Sequence, residues 1–288
     1  MTDGQTVIHA ESKSFDSRAP MWWLVFKQEL AELWIGGRVL NLLILFTLLM
    51  SLTVYLLANN NELSLLPTRQ AVFVALEAAI TFGLFIGLII SAESISGERE
   101  RATLEPLLLT PTNRRQIVFG KFLAALTPWP VAFLLAIPYL VALSRGDAVL
   151  GEALLYGGVM GSVLTVAFAC FGTLVSIWSN SNKISLFICL LVYMVSLLPA
   201  QLPTEFHPTP IGLLIDSTIP LESSRQFLQQ TLVNSVAVDQ VKHFLIAPIL
   251  MITFLLGVLF LYAAPRLRLE AARPRLNLQF WNRAEVTE

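Results

Sequence analysis

Six long apolar stretches constrain this chain more than any other feature. A helix rises about 1.5 Å per residue, so about 20 apolar residues cross roughly 30 Å of hydrocarbon. Only one of the stretches holds an ionisable residue, Glu77. They predict an all-α, polytopic membrane protein with six transmembrane helices, at residues 39–58, 71–92, 122–144, 153–178, 184–202 and 244–264.

Composition agrees with lipid as the solvent of this chain. It is 55% hydrophobic and only 14% charged, whereas soluble domains are about a quarter charged. Cys170 and Cys189 both fall inside apolar stretches. We therefore interpret them as packing residues of a helix bundle, and we expect neither a disulfide framework nor a metal site.

The positive charges predict the orientation. With six spans both termini lie on one side, and 15 of the 19 Lys and Arg residues belong to that side. The other four are Arg69, Arg145, Arg225 and Lys242. Cationic side chains resist translocation, so we expect a multi-pass protein of the plasma (inner) membrane with both termini in the cytoplasm.

This topology divides the chain into a spanning domain, residues 39–264, and its flanks. Residues 1–20 and 265–288 are expected to be cytoplasmic tails, and residues 21–38 a helix at the membrane interface. Within the spanning domain, the highly charged segment 93–121 joins spans two and three. The outer loop 203–243 holds several prolines, and its apolar middle predicts short helices at or dipping into the outer interface.

Residues 21–37 have the pattern of an amphipathic helix. Most of its large apolar residues fall within one arc at 100° per residue, and Glu29 lies beside the edge of that arc. Tryptophan favours the headgroup level, so we interpret the helix as interfacial. The alternative is a cytosolic helix that packs on another element. The apolar arc comprises Trp22, Trp23, Phe26, Leu30, Leu33 and Trp34.

Segment 93–121 combines charges with an apolar patch. Glu98 and Arg101 have the i,i+3 spacing that favours an ion pair on a helix. Arg114, Arg115 and Lys121 stand where the chain re-enters lipid, which is typical of headgroup anchors. Leucines follow the charged run without other apolar residues to cover them. From the residues alone, a docking surface and a solvated loop both remain open.

The order of residues in this segment resembles the signature of type-2 ABC transporter permeases. It runs Glu-Arg-Glu, Thr-Leu-Glu, a leucine cluster, Thr-Pro, a basic residue and Gly-Lys before a span. Residues 21–38 are similar to the connecting helix of that family. One position departs from its pattern, because Ala102 stands where the family has glycine. Alanine favours continuing the helix, so a tight turn is not expected there. The matching positions are Glu98, Arg99, Glu100, Thr103, Leu104, Glu105, Leu107, Leu108, Thr110, Pro111, Arg114, Gly120 and Lys121.

The resemblance implies a permease subunit of an ATP-driven exporter with two partners. One is a separate ABC ATPase, and the other is a second permease protomer, in a homo- or heterodimer within membrane lipids. Segment 93–121 would serve as the coupling helix. No nucleic acid is implied as a partner. The residues implied to bind the ATPase are Glu98, Arg99, Glu100, Thr103, Leu104, Glu105, Leu107 and Leu108.

The chain is not expected to be an enzyme or to hold a cofactor. Its Gly120-Lys121 pair has Arg115 where the first glycine of a P-loop stands, and Phe122 where that loop needs Ser or Thr. ATP and Mg would therefore bind to the partner ATPase.

Glu77 is a candidate for the substrate pathway, because a carboxylate inside a span suggests a cationic substrate or a proton. The alternative is that it snorkels to the outer interface, about 9 Å away. Two other functions remain open: a non-transporting membrane anchor or regulatory subunit of an ABC-like complex, and a self-contained channel or secondary transporter.

Overall fold

The computed structural model describes residues 20–59, 66–103, 113–201, 212 and 218–266, and this part of the chain contains helices and turns but no strand. The α-helices are α1 (Met21–Ile35), α2 (Arg38–Asn59), α3 (Thr68–Glu93), α4 (Ser96–Glu100), α5 (Arg114–Leu126), α6 (Pro128–Ser144), α7 (Val149–Trp178), α8 (Asn182–Leu197), α9 (Pro220–Leu228), α10 (Val238–Val241) and α11 (Ile246–Gly257).

The prediction of six spans is confirmed. Within the described residues, six helical segments are long and apolar enough to cross a membrane, and each overlaps one predicted stretch. The six are Arg38–Asn59, Thr68–Glu100, Arg114–Ser144, Val149–Trp178, Asn182–Gln201 and Val238–Ala263.

The third span differs from its prediction, because helix begins at Arg114 rather than near residue 122 and breaks once at Thr127. Pro128 and Pro130 lack the N–H groups that would continue α5 without interruption, and proline is tolerated at the first turn of a new helix. Trp34 of α1 donates its indole N–H to the Thr127 hydroxyl, at 3.3 Å. The break therefore lies where α1 contacts the bundle.

Helices α3 and α7 form the centre of the bundle, with 61% and 67% of their most apolar windows buried, whereas the other four spans have 28% or less. Glycines allow this close packing. A Cβ on Gly157 would lie 2.5 Å from Leu76 of α3, and one on Gly161, a turn further along α7, would lie 2.1 Å from the Trp129 ring of α6. Small residues four apart are the usual means by which membrane helices approach closely.

The peripheral helices leave apolar faces uncovered. Phe187, Leu191 and Met194 of α8 and Phe254 of α11 are exposed large side chains. Such faces fit lipid or a second copy of a similar chain, and both partners stay predictions.

The end of the bundle near α9 includes a segment that turns back towards the spans. From α9 the chain continues as one π-helical turn, Gln229–Val233. Phe227 is buried and packs edge-on against Tyr156 of α7, with ring centroids 6.0 Å apart. Residues 203–243 therefore contain short helices, although most of residues 202–217 lie outside the described part, and their place at an outer interface stays a prediction.

Candidate functional site

The most connected polar region lies at one end of the bundle, which we call the α4 end. It comprises α1, α4, α5 and the turn between α7 and α8. The opposite end, which holds α9 and the turn between α6 and α7, we call the α9 end.

Helix α4 ends in a tight turn at Ala102, against the sequence-based expectation. Ala102 has a φ of 58°, in the left-handed region. Its N–H donates to the carbonyl of Arg99 (3.2 Å), and the N–H of Thr103 donates to that of Glu98 (3.0 Å). These two bonds form a Schellman motif, which satisfies carbonyls at the helix end. In the family pattern that this segment resembles, glycine makes this turn. Here alanine makes it, at a higher steric cost because alanine carries a Cβ.

A buried ammonium joins three elements of the α4 end. Lys121 of α5 is 1% exposed. It forms an ion pair with Glu29 of α1 and another with Glu98 of α4, the latter at 2.7 Å. Breaking a buried pair leaves an uncompensated charge, so each partner holds the others in place. The expectation that Lys121 is a headgroup anchor was wrong.

The glycine beside this lysine explains how α1 reaches the cluster. A Cβ on Gly120 would lie 2.9 Å from the Trp22 carbonyl oxygen and 3.0 Å from Val25. Only a residue without a side chain lets α1 and α5 pack this closely. Trp22 also meets Phe119 edge-on, with centroids 5.5 Å apart. Gly120 thus allows the close contact between α1 and α5, and Lys121 beside it fixes the position of α1 along α5 through its ion pair with Glu29.

The remaining charges of the Glu-Arg-Glu run contact the turn between α7 and α8. Arg99 donates from Nη1 to the carbonyl of Ser179 and from Nη2 to that of Ile177 (3.1 Å) at the C-terminus of α7. Glu100 accepts a hydrogen bond from the backbone N–H of Asn182 (3.0 Å) at the N-terminus of α8. A cation therefore meets carbonyls at one helix end and a carboxylate meets an N–H at the next. Both contacts complement the helix dipoles.

A buried serine adds a third connection between α7 and α4. Ser176 accepts hydrogen bonds from the backbone N–H groups of Ile95 (3.0 Å) and Ser96 (2.8 Å), so it caps the start of α4. In addition, Ser185 of α8 donates to the carbonyl of Ala92 at the end of α3, at 2.8 Å. Both ends of α4 are therefore held by the α7–α8 hairpin.

A cavity of about 430 Å³ lies between α1, α2 and the end of α3. Four carboxylates and three cations line it. Two further ion pairs cross its walls, Arg38 with Glu93 at 3.7 Å and Arg101 with Glu32 at 3.4 Å. Arg101 does not pair with Glu98, because both side chains have partners on other elements. The ionised lining residues are Glu29, Glu32, Glu93, Glu98, Arg38, Arg101 and Lys121.

The structure brings together part of the predicted partner-binding set. Glu98, Arg99 and Glu100 all contact groups of this chain, and Thr103 is exposed beside them. The other predicted residues, Leu104, Glu105, Leu107 and Leu108, lie outside the described residues. Glu29 and Ser176 are the site residues that sequence reasoning missed. Glu29 had a signal, since a carboxylate beside the apolar arc of α1 suggests a buried partner.

Glu77 has charged neighbours that the sequence did not place near it. It lines a pocket between α3, α7, α8 and α9 together with Glu222 and Arg225. The Glu222 carboxylate is 2% exposed and accepts from Arg225 Nε at 2.9 Å. Glu77 thus faces a charged pair from the returning segment. A carboxylate that only snorkels to the membrane interface would need contact with water and no such charged neighbours.

Comparison with known proteins supports an assignment for the whole bundle. The family model described as "ABC-2 family transporter protein" matches residues 23–265, from α1 to the end of the last span. A search of curated proteins finds no match to this chain.

Proposed function

This chain belongs to the ABC-2 family of transporter proteins, and from that premise we propose that it is the permease subunit of an exporter whose α4 end docks on a separate ATPase. The α4 end would face the cytoplasm, as the distribution of Lys and Arg predicts. Two permease protomers would assemble side by side in the plasma membrane. ATP and Mg would bind to the ATPase.

The observation that carries this proposal is the anchoring of α4. Its charged run connects α1, α5 and the α7–α8 turn, while the chain becomes exposed from Glu100 to Thr103. The segment that follows, residues 104–112, therefore starts from a fixed point at the edge of the bundle. It re-enters at Asn113, which caps α5 by accepting from the backbone N–H of Arg115. A short segment fixed at both ends is suited to transmitting the movement of a docked partner.

We assign direct contact with the ATPase to Thr103, which is exposed, and to residues that follow it in the chain. Thr103, Leu104, Glu105, Leu107 and Leu108 would enter a groove on the ATPase, with the leucines in its apolar centre. Glu98, Arg99 and Glu100 remain proposed members of the partner-binding set. In the single chain their side chains already have partners, so their contribution to docking would include holding the segment in position.

Docking is tested by placing a charge in the proposed apolar contact. Leu107→Asp should abolish co-purification of the cognate ATPase from detergent extracts, because a carboxylate in an apolar groove is desolvated without a partner. Protein level and membrane insertion should not change. Val238→Asp is the matched control, since Val238 is exposed at the α9 end. ATPase binding that survives Leu107→Asp together with Glu98→Arg would contradict docking through this segment.

A substrate route past Glu77 is a second proposal, which rests on the pocket at the α9 end. Its two carboxylates outnumber its one guanidinium, and the other lining residues are mostly apolar. This chemistry suits cargo with a cationic group and an apolar body. Glu77→Gln should then reduce the stimulation of ATP hydrolysis by cationic amphiphiles but not by neutral ones. Equal stimulation of both proteins by cationic amphiphiles would remove Glu77 from the route.

Export and the non-transporting alternative can also be separated. Inside-out vesicles that hold the complete complex should accumulate cargo only with ATP. If cell extracts supply no compound that accumulates, while the ATPase still binds and hydrolyses, the chain is an anchor or regulatory subunit. ATP-independent flux through the purified chain would indicate a channel or secondary transporter.

A further inference from the structure

The contacts of α4 carry an inference about how movement reaches the spans. We propose that Arg99 and Glu100 are positioning residues that fasten the coupling segment to the α7–α8 hairpin, so that spans four and five receive the movement of the ATPase directly. This inference rests on the proposed docking function and names the route inside the permease.

The first argument is the polarity of the two contacts. The last carbonyls of α7 carry partial negative charge, and Arg99 donates to two of them, those of Ile177 and Ser179. The first N–H groups of α8 carry partial positive charge, and Glu100 accepts from that of Asn182. Adjacent residues of opposite charge therefore meet adjacent helix ends of opposite polarity. Exchanging the two residues would place each charge at the wrong helix end.

The second argument is that α7 also supplies a contact to the start of α4. We call the contacts of α4 with the α7–α8 hairpin, made by Arg99, Glu100 and Ser176, the clamp. Ser176, which is buried, accepts hydrogen bonds from the backbone N–H groups of Ile95 and Ser96 at the start of α4. Helices α4 and α7 thus supply hydrogen-bond partners to the free backbone groups at each other's ends, although their residues are about 80 positions apart. Helix ends need such partners when water does not reach them. A pull on α4 must either move the hairpin or break these bonds.

The third argument is the continuity of α7. The helix runs unbroken from Val149 to Trp178 and packs on α3 through close glycine contacts. It therefore extends from the contacts with α4 to the α9 end, and Leu164 near its middle lines the pocket of Glu77. Displacement of its C-terminus can alter that pocket without any intermediate loop.

The test uses the full complex of permease and ATPase and needs no knowledge of the cargo. Spin labels at Tyr55→Cys of α2 and Gly151→Cys of α7 report the distance between two helices at the α9 end. Both positions are exposed, and a Cβ at Gly151 meets no neighbour. The two buried cysteines, Cys170 and Cys189, are replaced by alanine. Distances are measured by electron paramagnetic resonance without nucleotide and with ATP and vanadate.

In the otherwise unaltered complex we expect a nucleotide-dependent shift of this distance. Arg99→Gln together with Glu100→Gln is measured with the ATPase in enough excess to occupy every permease, because both residues also belong to the proposed docking set. The double variant should then lack the shift although the ATPase is bound and hydrolyses ATP. Arg145→Gln with Asp147→Asn is the matched control, because Asp147 likewise accepts from a backbone N–H at a helix start, that of Val149. The control should keep the shift. Arg99→Lys retains a cation at the end of α7. Its shift should therefore be smaller than that of the unaltered complex but larger than that of the double variant.

A shift that survives in the double variant would overturn the proposal. So would a parallel fall of protein level, ATPase binding, hydrolysis and shift, because that pattern marks a purely structural role. Failure of the docking function itself appears differently, since the ATPase would then not bind to the unaltered chain.

Discussion

The two ends of this bundle pair their charges in different ways. At the α4 end, Lys121 joins α1 and α4 to α5, and Arg99 reaches a turn about 80 residues away. At the α9 end, Glu222 and Arg225 pair within a single helix at i,i+3. Arg69 of α3 donates to the returning segment, to the carbonyl of Leu232 at 3.1 Å and to the hydroxyl of Ser235 at 2.9 Å.

The difference teaches which parts can move as units. Charges paired between elements make those elements move together, since separating them would strand buried charges. A pair within one helix does not by itself tie that helix to another, so fewer charged contacts would change if the helix moved. We therefore expect the α4 end to be rigid and the returning segment at the α9 end to change position relative to the spans.

The largest expected effect is at Lys121. Lys121→Met should destabilise the protein by about 3–5 kcal/mol, because two carboxylates lose their shared buried cation. Size-exclusion profiles after heating should show a lower unfolding temperature, and proteolysis should release α1. Lys27→Met, at an exposed position of α1, should change little. An unaltered thermal profile for Lys121→Met would mean that the cluster does not hold the α4 end together.

Glu222→Gln is expected to have the second largest effect. It removes a charge-assisted pairing with Arg225, which contributes roughly 1.5–3 kcal/mol. Because both partners belong to α9, increased hydrogen exchange should remain within residues 220–234. Exchange that spreads to α1 or α4 would contradict the separation of the two ends.

Two left-handed residues offer a smaller and opposite test. Ala102 at the α4 end and Arg145 at the α9 end have φ values of 58° and 48°. Replacing either by glycine should stabilise the protein by about 1 kcal/mol, since glycine adopts this conformation without the steric cost of a Cβ. The gain should appear as a higher unfolding temperature for each variant. A loss at Ala102→Gly would mean that the turn after α4 is not left-handed.

The smallest effects should come from the exposed ion pairs of each end. Arg38–Glu93 is 3.7 Å long and Arg69–Glu152 is 3.8 Å long, and all four side chains are at least 28% exposed. Double-mutant cycles should give about 0–1 kcal/mol for both pairs. A coupling above this range for either pair would show that exposed charges also tie the elements together.

The spans followed from the sequence because their signal is one of length and polarity. Residues 153–178 are apolar enough to span alone, and α7 covers them. The contacts of the charged run did not follow, because they depend on distant residues. Nothing local to Glu98 indicates Lys121, and the i,i+3 spacing pointed to Arg101 instead. Propensity also failed at Ala102, where tertiary contacts of α4 outweigh the preference of alanine for helix.

Only Glu77 itself, and not its charged neighbours, could be predicted as part of the pocket at the α9 end. A carboxylate within a span predicts a partner or a function, but the partner lies in a loop whose path the sequence does not determine. Glu222 and Arg225 look like an ordinary surface pair by spacing. Their burial follows from the return of α9 towards the spans, which prolines and apolar residues permit without specifying.

Hydrogen exchange across the nucleotide cycle tests the central claim most directly. In the full complex, with and without ATP and vanadate, exchange in residues 95–101 and 176–183 should be equally slow in both states. Exchange in residues 220–234 should differ between them. The reverse pattern, with nucleotide-dependent exchange at the clamp and none at the returning segment, would contradict the account of a rigid α4 end that moves the α9 end.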